Sequence, residues 1–187
     1  MKLKYYPLLS LLTVMMYSTL VAQELSKTEL IFLTHQWKGE RFEDGRPKVS
    51  DALLKRMKNV SIEEAWGVLR NEGFHNQFEG NWQPLHEDVT IVGRALTVQY
   101  MPNRPDMAEQ IKKKGHERGE IGNTNAWPID RLVEHDVYVA DGFGKIIDGT
   151  LIGDNLGNSI YAKTKTGVVF NASSRDLEGL SKIEGFN

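Results

Sequence analysis

The chain has 187 residues, of which 40% are hydrophobic and 26% are charged, and its formal net charge is −2. This composition is typical of a folded globular protein and excludes a disordered chain. The near-neutral charge argues against nucleic acid as a partner, because nucleic-acid-binding proteins usually carry a basic face. Cysteine is absent, which excludes a thiol nucleophile, a disulfide framework and a thiolate metal site.

The first 22 residues have the pattern of a secretory signal peptide. Lys2 and Lys4 precede a mostly apolar stretch over residues 8–21, and Ala22 provides a small residue for cleavage. We therefore expect residues 1–22 to be removed and the protein to be exported, to the periplasm or beyond, with no stable membrane anchor. The alternative is an uncleaved anchor, although the apolar stretch is shorter than the ~20 residues of a spanning helix.

Helices dominate the next part of the chain. Residues 23–49 are predicted to form an N-terminal helix and a loop, ahead of a domain over residues 50–187. Ser50 is a candidate N-cap for a short helix, because its hydroxyl can accept from a free backbone N–H. Ser61 begins a capping-box pattern, which predicts a second helix that ends near Gly73.

Strand and helix patterns then alternate. Residues 88–100 are rich in β-branched residues and predict a strand, in which Gly93 marks a bulge or a close backbone approach. Residues 106–118 predict a polar helix, and the three lysines at 112–114 fit its solvated face. Residues 129–134 predict a further short helix.

Residues 137–176 are predicted to form a strand–helix–strand unit. A β-rich run over residues 137–140 ends at Asp141, a helix spans residues 154–163, and a buried strand begins at Gly167. Two strands joined by a crossover helix predict a parallel pair. The carboxyl ends of both strands and the N-terminus of the helix then share one sheet edge, which is where such sheets bind ligands.

The residue types at that edge suit a small anionic substrate and a divalent metal. Gly153 allows close backbone approach, and the start of the helix after it favours an anion. Arg175 offers a planar fork for a carboxylate or enolate oxygen. Asp176 is a hard oxygen ligand for Mg²⁺ or Mn²⁺. Taken singly, an Arg-Asp pair is usually a surface ion pair and Gly-Asp-Asn a capping turn; their joint placement favours a site.

Three segments resemble the RraA-like family, which includes 4-hydroxy-4-methyl-2-oxoglutarate aldolases and regulators of ribonuclease activity. Residues 93–98 resemble the family's G-x-A-x-T-V strand, and residues 153–156 resemble its substrate-binding turn. Residues 167–176 resemble its G-V-V-x-D-G-x-x-R-D segment. The resemblance covers about residues 50–187. It implies an α/β fold of the β/β/α swivelling type, and a homotrimer when the chain is complete.

The resemblance also implies a metal-dependent lyase that acts on a small 2-oxo acid through a pyruvate enolate, by aldol cleavage or by oxaloacetate decarboxylation. The turn that would bind the pyruvoyl end comprises Gly153, Asp154, Asn155 and Leu156. Arg175 would contact the substrate as a catalytic residue, and Asp176 would ligate Mg²⁺ or Mn²⁺. Asp154 would be the second catalytic residue, through a hydrogen bond to a metal-bound water. The alternative is a non-catalytic binding or regulatory protein of the same family.

The sequence departs from the family pattern in three places. Asn171 and Ala172 stand where the family usually has Asp-Gly. The stretch over residues 102–128 resembles an insertion that could reshape the pocket. The chain ends at Asn187, whereas family members continue through further strands and a region that can supply an acidic residue to a neighbouring subunit. We therefore expect the C-terminal part of the domain to be missing, with exposed sheet edges and an incomplete core.

Overall fold

The computed structural model describes residues 25–187, so the predicted signal peptide lies outside the described residues. The helices in this range are α1 (Lys27–Leu33), α2 (Asp51–Met57), α3 (Ile62–Asn71), α4 (Pro105–Glu117), α5 (Trp127–Asp130), α6 (Asp154–Thr164) and α7 (Leu177–Ser181). The strands are β1 (Arg94–Gln99), β2 (Asp136–Ile152) and β3 (Val168–Ser174). None of the described helices has the length and apolar character needed to cross a membrane.

Serine side chains cap the first three helices. Ser26 and Ser61 each close a capping box with the glutamate three residues later, and Ser50 accepts from a backbone N–H of α2. The caps of α2 and α3 are therefore as predicted. The first helix, predicted over residues 25–37, ends at Leu33, and the Arg41 guanidinium donates to the Thr34 carbonyl at 2.7 Å just beyond it.

The three strands form one parallel sheet in the order β1-β2-β3. β1 pairs with β2 from Arg94 opposite Asp136 onwards. β2 pairs with β3 in regular register up to Asp141 opposite Asn171, and α6 connects these two strands. The parallel pairing confirms the predicted strand–helix–strand unit.

The start of β1, the position of α5 and the end of β2 differ from the predicted bounds. β1 begins at Arg94 rather than at residue 88, because β2 begins opposite Arg94 and residues 88–93 have no strand beside them in the described chain. The predicted helix over residues 129–134 lies earlier, at Trp127–Asp130. Residues 131–135 connect α5 to β2.

β2 does not end at Asp141 but continues to Ile152. Beyond Asp141 its register with β3 shifts three times, and the pairing finishes with Ile152 opposite Ser174. Positive φ angles at Phe143 and Asp148 let the strand bend away and return. This bent part of β2 carries the chain from the end of the regular sheet to the turn that begins α6.

The hydrophobic core lies on the face of the sheet that α6 and α7 cover. Tyr138, Ile160 and Phe186 are completely buried in it. The Tyr138 hydroxyl shares a hydrogen bond of 2.8 Å with the Tyr100 hydroxyl. Burial raises the pKa of Tyr138, so its phenol stays neutral and serves the core by packing and by this one polar contact.

Candidate functional site

The turn before α6 presents backbone groups at the carboxyl edge of the sheet. Gly153 is the N-cap of α6 and has an extended backbone with φ of −131°. It offers no side chain to the first-turn N–H groups, and the helix dipole favours an anion at this end. The Asn155 N–H donates to Asp154 Oδ1 at 2.7 Å, so one of these groups is satisfied within the turn.

Gly153 lies directly against Arg175 and Asp176. A β-carbon on residue 153 would lie 2.6 Å from Asp176 Oδ2 and 2.9 Å from Arg175 Nε, closer than packed atoms allow. The Arg175 N–H also donates to the Ile152 carbonyl at 3.1 Å. The pairing of β2 with β3 therefore brings together the two segments that the sequence predicts to meet. This contact accounts for a glycine at residue 153.

Arg175 and Asp176 are both exposed to solvent. Arg175 Nε lies 3.3 Å from Asp176 Oδ2, and the two side chains are 71% and 46% exposed. Asp176 has a left-handed backbone with φ of 57° at the N-cap of α7, where its side chain makes no capping hydrogen bond. An ion pair this exposed is worth only ~0–1 kcal/mol, so a substrate or a metal could displace it at little cost.

A small pocket of about 120 Å³ lies beside this contact. Its lining consists of Thr150, Leu151, Ile152, Gly153, Asn155, Leu156 and Arg175. The last four are predicted substrate-binding residues. The three strand residues are not among the predicted ones, because the strand is predicted to end at Asp141. The β-branched residues Thr150 and Ile152, just before Gly153, are the sequence pattern that could have predicted a strand there.

Asp154 and Asp176 do not line this pocket. The Asp154 carboxylate lies against α7, where a β-carbon on Gly179 would be 3.0 Å from Oδ2. The Asp176 carboxylate lies against Gly153 instead. The predicted site therefore has two neighbouring parts, a pocket with Arg175 at its side and a pair of carboxylates near the starts of α6 and α7.

A metal ion here would draw on few protein side chains. Within residues 25–187, no group of three or more acidic or histidine residues could hold a metal. Asp176 offers hard, half-exposed carboxylate oxygens, and Mg²⁺ is commonly held by one or two carboxylates together with waters and substrate oxygens. The donor chemistry fits Mg²⁺ or Mn²⁺ bound in that manner.

Asp141 and Asn171 form a separate polar contact where the regular sheet ends. Asn171 Nδ2 donates to Asp141 Oδ1 at 3.3 Å, and the Phe143 N–H donates to the same oxygen at 2.9 Å. Asp141 therefore holds the bend of β2. The asparagine that replaces the family's usual aspartate takes part in this contact.

Comparison with known proteins gives one family. The family model described as RraA-like, Aldolase/RraA, matches residues 46–185. Protein DlpA of Legionella pneumophila subsp. pneumophila is 32% identical over 98 residues, which is 52% of this chain and 14% of that protein. The chain thus matches only a small part of this relative.

Two solved structures share the fold. RraAS2 of Streptomyces coelicolor, described as an unusual member of the RNase ES inhibitor RraA protein family, has a TM-score of 0.52 at 21% identity. That match covers 73% of this chain and 61% of RraAS2. A protein of Pseudomonas syringae pv. tomato has a TM-score of 0.51 at 20% identity, over 71% of this chain and 53% of that one.

This chain therefore spans less than two thirds of either structure. Its parallel sheet and covering helices are the α/β architecture that the resemblance predicts. Because the family model matches most of the sequence and both structures share this architecture, the chain belongs to the RraA-like family.

Proposed function

We propose that this protein is a divalent-metal-dependent lyase that cleaves a small 2-oxo acid through a pyruvate enolate. The reaction would be an aldol cleavage or the decarboxylation of oxaloacetate. The observation that carries the proposal is the contact of Gly153 with Arg175 and Asp176, which assembles an anion-binding turn, a guanidinium and a carboxylate at one point. Membership of the RraA-like family supports the reaction class.

The pocket suits the pyruvoyl end of such a substrate. Backbone N–H groups at the start of α6 would receive its carboxylate, as helix N-termini do for anions. Arg175 lines the same pocket and would donate to the 2-oxo oxygen. A volume of about 120 Å³ holds only a few heavy atoms, so the rest of the substrate would extend into solvent or towards a neighbouring subunit.

The chemistry requires stabilisation of negative charge on that oxygen. Cleavage of the bond between carbons 3 and 4 releases carbon 4 as CO2 from oxaloacetate, or as the carbonyl group of a second product when the carbon 4 hydroxyl of the aldol gives its proton to water. The electron pair left on carbon 3 delocalises onto the 2-oxo oxygen as an enolate, and a proton from water on carbon 3 then completes pyruvate. Arg175 would stabilise the charge as it grows towards the transition state. The metal, when held by Asp176, would supply Lewis-acid polarisation of the 2-oxo group. Asp154 would orient a water by hydrogen bonding.

The test is pyruvate release from oxaloacetate and from 4-hydroxy-4-methyl-2-oxoglutarate, with Mg²⁺ and then with excess chelator. We expect turnover that the chelator abolishes and that Asp176→Asn lowers by about 100-fold or more. Glu178→Gln is the matched control, because Glu178 is an exposed carboxylate on α7 that pairs with Lys182 at 2.7 Å. Absent turnover would rule out the lyase. Turnover that persists in excess chelator would rule out a metal-dependent lyase. Full activity of Asp176→Asn would overturn the metal assignment alone.

The proposal extends to assembly and location. We propose a homotrimer that acts outside the cytoplasm after removal of residues 1–22. The Arg175 side chain is 71% exposed, so a neighbouring subunit could pack over it. Light scattering would give the mass of the assembly, and mass spectrometry of the protein from its native host would give the N-terminus. A monomer, or a chain that retains residue 1, would contradict these two points.

A non-catalytic binding or regulatory role is the second candidate. Two features favour it: the exposure of both Arg175 and Asp176, and the engagement of Asn171 with Asp141 where the family usually has Asp-Gly. A protein of this kind would bind a 2-oxo acid or a macromolecule without turnover. Calorimetric binding of pyruvate in the absence of any pyruvate release from the two substrates would favour this role over the lyase.

A further inference from the structure

Helices α6 and α7 interlock through one glycine on each. A β-carbon on Gly157 of α6 would overlap Leu180 Cδ2 of α7. A β-carbon on Gly179 of α7 would lie 2.8 Å from Asp154 Cβ and 3.0 Å from Asp154 Oδ2 of α6. Leu180 of α7 thus occupies the space beside Gly157, and Asp154 of α6 occupies the space beside Gly179. The two helix backbones can therefore approach closely.

The same short helix carries the other carboxylate of the site. Asp176 is the N-cap of α7, and its carbonyl accepts from the Leu180 N–H at 2.9 Å. Leu180 is 1% exposed and anchors α7 in the core. Asp176 and Gly179 are therefore held by one anchored turn. The separation of the Asp154 and Asp176 carboxylates depends on how closely that turn packs on α6.

We propose that Gly179 is a positioning residue for Asp154. Gly179 has no side chain, which leaves room for the Asp154 carboxylate. Together with the packing of Leu180 against Gly157, this sets the separation of the Asp154 and Asp176 carboxylates. Gly179 does not line the pocket and acts only through Asp154. The inference rests on the proposed function, because the separation matters only if both carboxylates serve a metal and its waters.

The test is the binding of Mn²⁺ to the whole chain, measured by electron paramagnetic resonance without substrate. Gly179→Ala should weaken Mn²⁺ binding by about 10-fold or more, the effect typical of residues that orient metal-bound groups. Gly67→Ala is the matched control, because Gly67 lies within α3 and nothing would lie within 4 Å of its β-carbon. In pyruvate release, Gly179→Ala should lower kcat and leave KM nearly unchanged, because the pocket lining is intact.

A second variant keeps the test decisive if Gly179→Ala folds poorly. Leu180→Val shortens the side chain that seats α7 on Gly157, and it should also weaken Mn²⁺ binding. Ile129→Val is its control, because Ile129 is 2% exposed and loses a buried methylene from α5 rather than from α7. Leu180→Val should bind Mn²⁺ more weakly than Ile129→Val, whereas the melting temperatures of these two variants should be equal.

The outcomes separate this inference from the proposed function. Native Mn²⁺ binding that neither Gly179→Ala nor Leu180→Val changes would overturn the positioning role and leave the lyase standing. A Gly179→Ala variant that melts at a lower temperature but binds Mn²⁺ normally would assign the glycine to packing alone, which also overturns the inference. A native chain that neither binds Mn²⁺ nor releases pyruvate would overturn both.

Discussion

Arg94 and Asp136 form a buried ion pair at the end of the sheet opposite the candidate site, with Arg94 Nε donating to Asp136 Oδ1 at 3.1 Å. Asp136 is completely buried, and its other oxygen accepts from Arg46 Nη1 at 3.3 Å. The pair joins the first residues of β1 and β2, whereas Arg175 follows the last residue of β3. The sheet therefore has a stability end, where the buried ion pair lies, and a chemical end, where the proposed site lies.

Asp136→Ala tests the stability end. The change removes the buried carboxylate and leaves the Arg94 guanidinium with Asp51, whose side chain is 57% exposed, as its carboxylate partner. Removing one partner of a buried pair costs about 3–5 kcal/mol in the free energy of unfolding. Urea denaturation followed by circular dichroism measures the loss. Asp44→Asn is the control, because Asp44 pairs with Arg46 at 2.7 Å while its side chain is 49% exposed. Equal, small losses in both variants would show that burial does not decide the contribution.

Gly153→Ala tests the chemical end. The new β-carbon would press on Asp176 Oδ2 and on Nε and Cγ of Arg175. Both side chains are exposed and can rotate away into solvent. The free energy of unfolding should therefore fall by less than ~1 kcal/mol. Pyruvate release should fall by about 100-fold, since the guanidinium and the carboxylate both leave their places.

The control for this change is Gly67→Ala, which adds a methyl group to an open position of α3. It should leave pyruvate release unchanged. A Gly153→Ala variant that unfolds as the Asp136→Ala variant does would contradict the separation of the two ends of the sheet.

Local features of this fold could be predicted because short-range chemistry determines them. Ser50 and Ser61 cap their helices through bonds to residues three positions away, and the parallel pairing of β2 with β3 follows from a single crossover helix. The bent part of β2 could not be predicted. Its length depends on register shifts against β3, which involve residues about 20–30 positions apart in the chain.

The candidate site divides in the same way. The residue types and order around Gly153 and Arg175 are visible in the sequence, and so is their shared sheet edge. Thr150 at the pocket is not, because it belongs to the unpredicted part of β2. The contact between Asp154 and Gly179 is also hidden, since it depends on how α7 packs on α6 rather than on any local pattern.

Lowering the pH should show how much the ionised Asp51 carboxylate contributes to the free energy of unfolding, at the stability end of the sheet. The hydrogen bond from Arg94 Nη1, at 2.8 Å, holds the pKa of Asp51 below its ordinary value of 3.8. A carboxyl group whose pKa is lower in the folded state stabilises the fold above its unfolded-state pKa, and this contribution is lost as the pH falls through the lowered pKa. Asp51→Asn should therefore be less stable than the native chain at neutral pH.

The difference should shrink to nothing as the solution is acidified through the lowered pKa of Asp51. Denaturation midpoints in urea, measured at about pH 7 and at steps below about pH 4, give the comparison. A deficit that stays constant over this range would show that the Asp51 contact with Arg94 does not depend on the charge of the carboxylate.

The Asn187 side chain accepts two hydrogen bonds and donates two, and a substitution can remove the donated bonds alone. Its Oδ1 accepts from the Leu85 N–H at 2.6 Å and the His86 N–H at 3.1 Å. Its Nδ2 donates to the carbonyls of His86 at 2.9 Å and Val89 at 3.2 Å. The side chain thereby fastens the segment before β1 to the end of the core, where the Asn187 carbonyl accepts from the Val168 N–H at 2.7 Å.

Asn187→Ala should lower the free energy of unfolding by about 1–3 kcal/mol, because it leaves part-buried backbone groups of residues 85–89 without partners. Asn187→Asp keeps the two accepted bonds but sets a carboxylate oxygen against the carbonyls of His86 and Val89, so its loss should be at least as large as that of the alanine variant. Gln77→Ala removes one exposed side-chain bond, to the His75 carbonyl at 3.2 Å, and should change stability by less than ~0.5 kcal/mol. Urea denaturation gives all three values, and an aspartate variant more stable than the alanine variant would mean that the accepted bonds outweigh the repulsion between these oxygens.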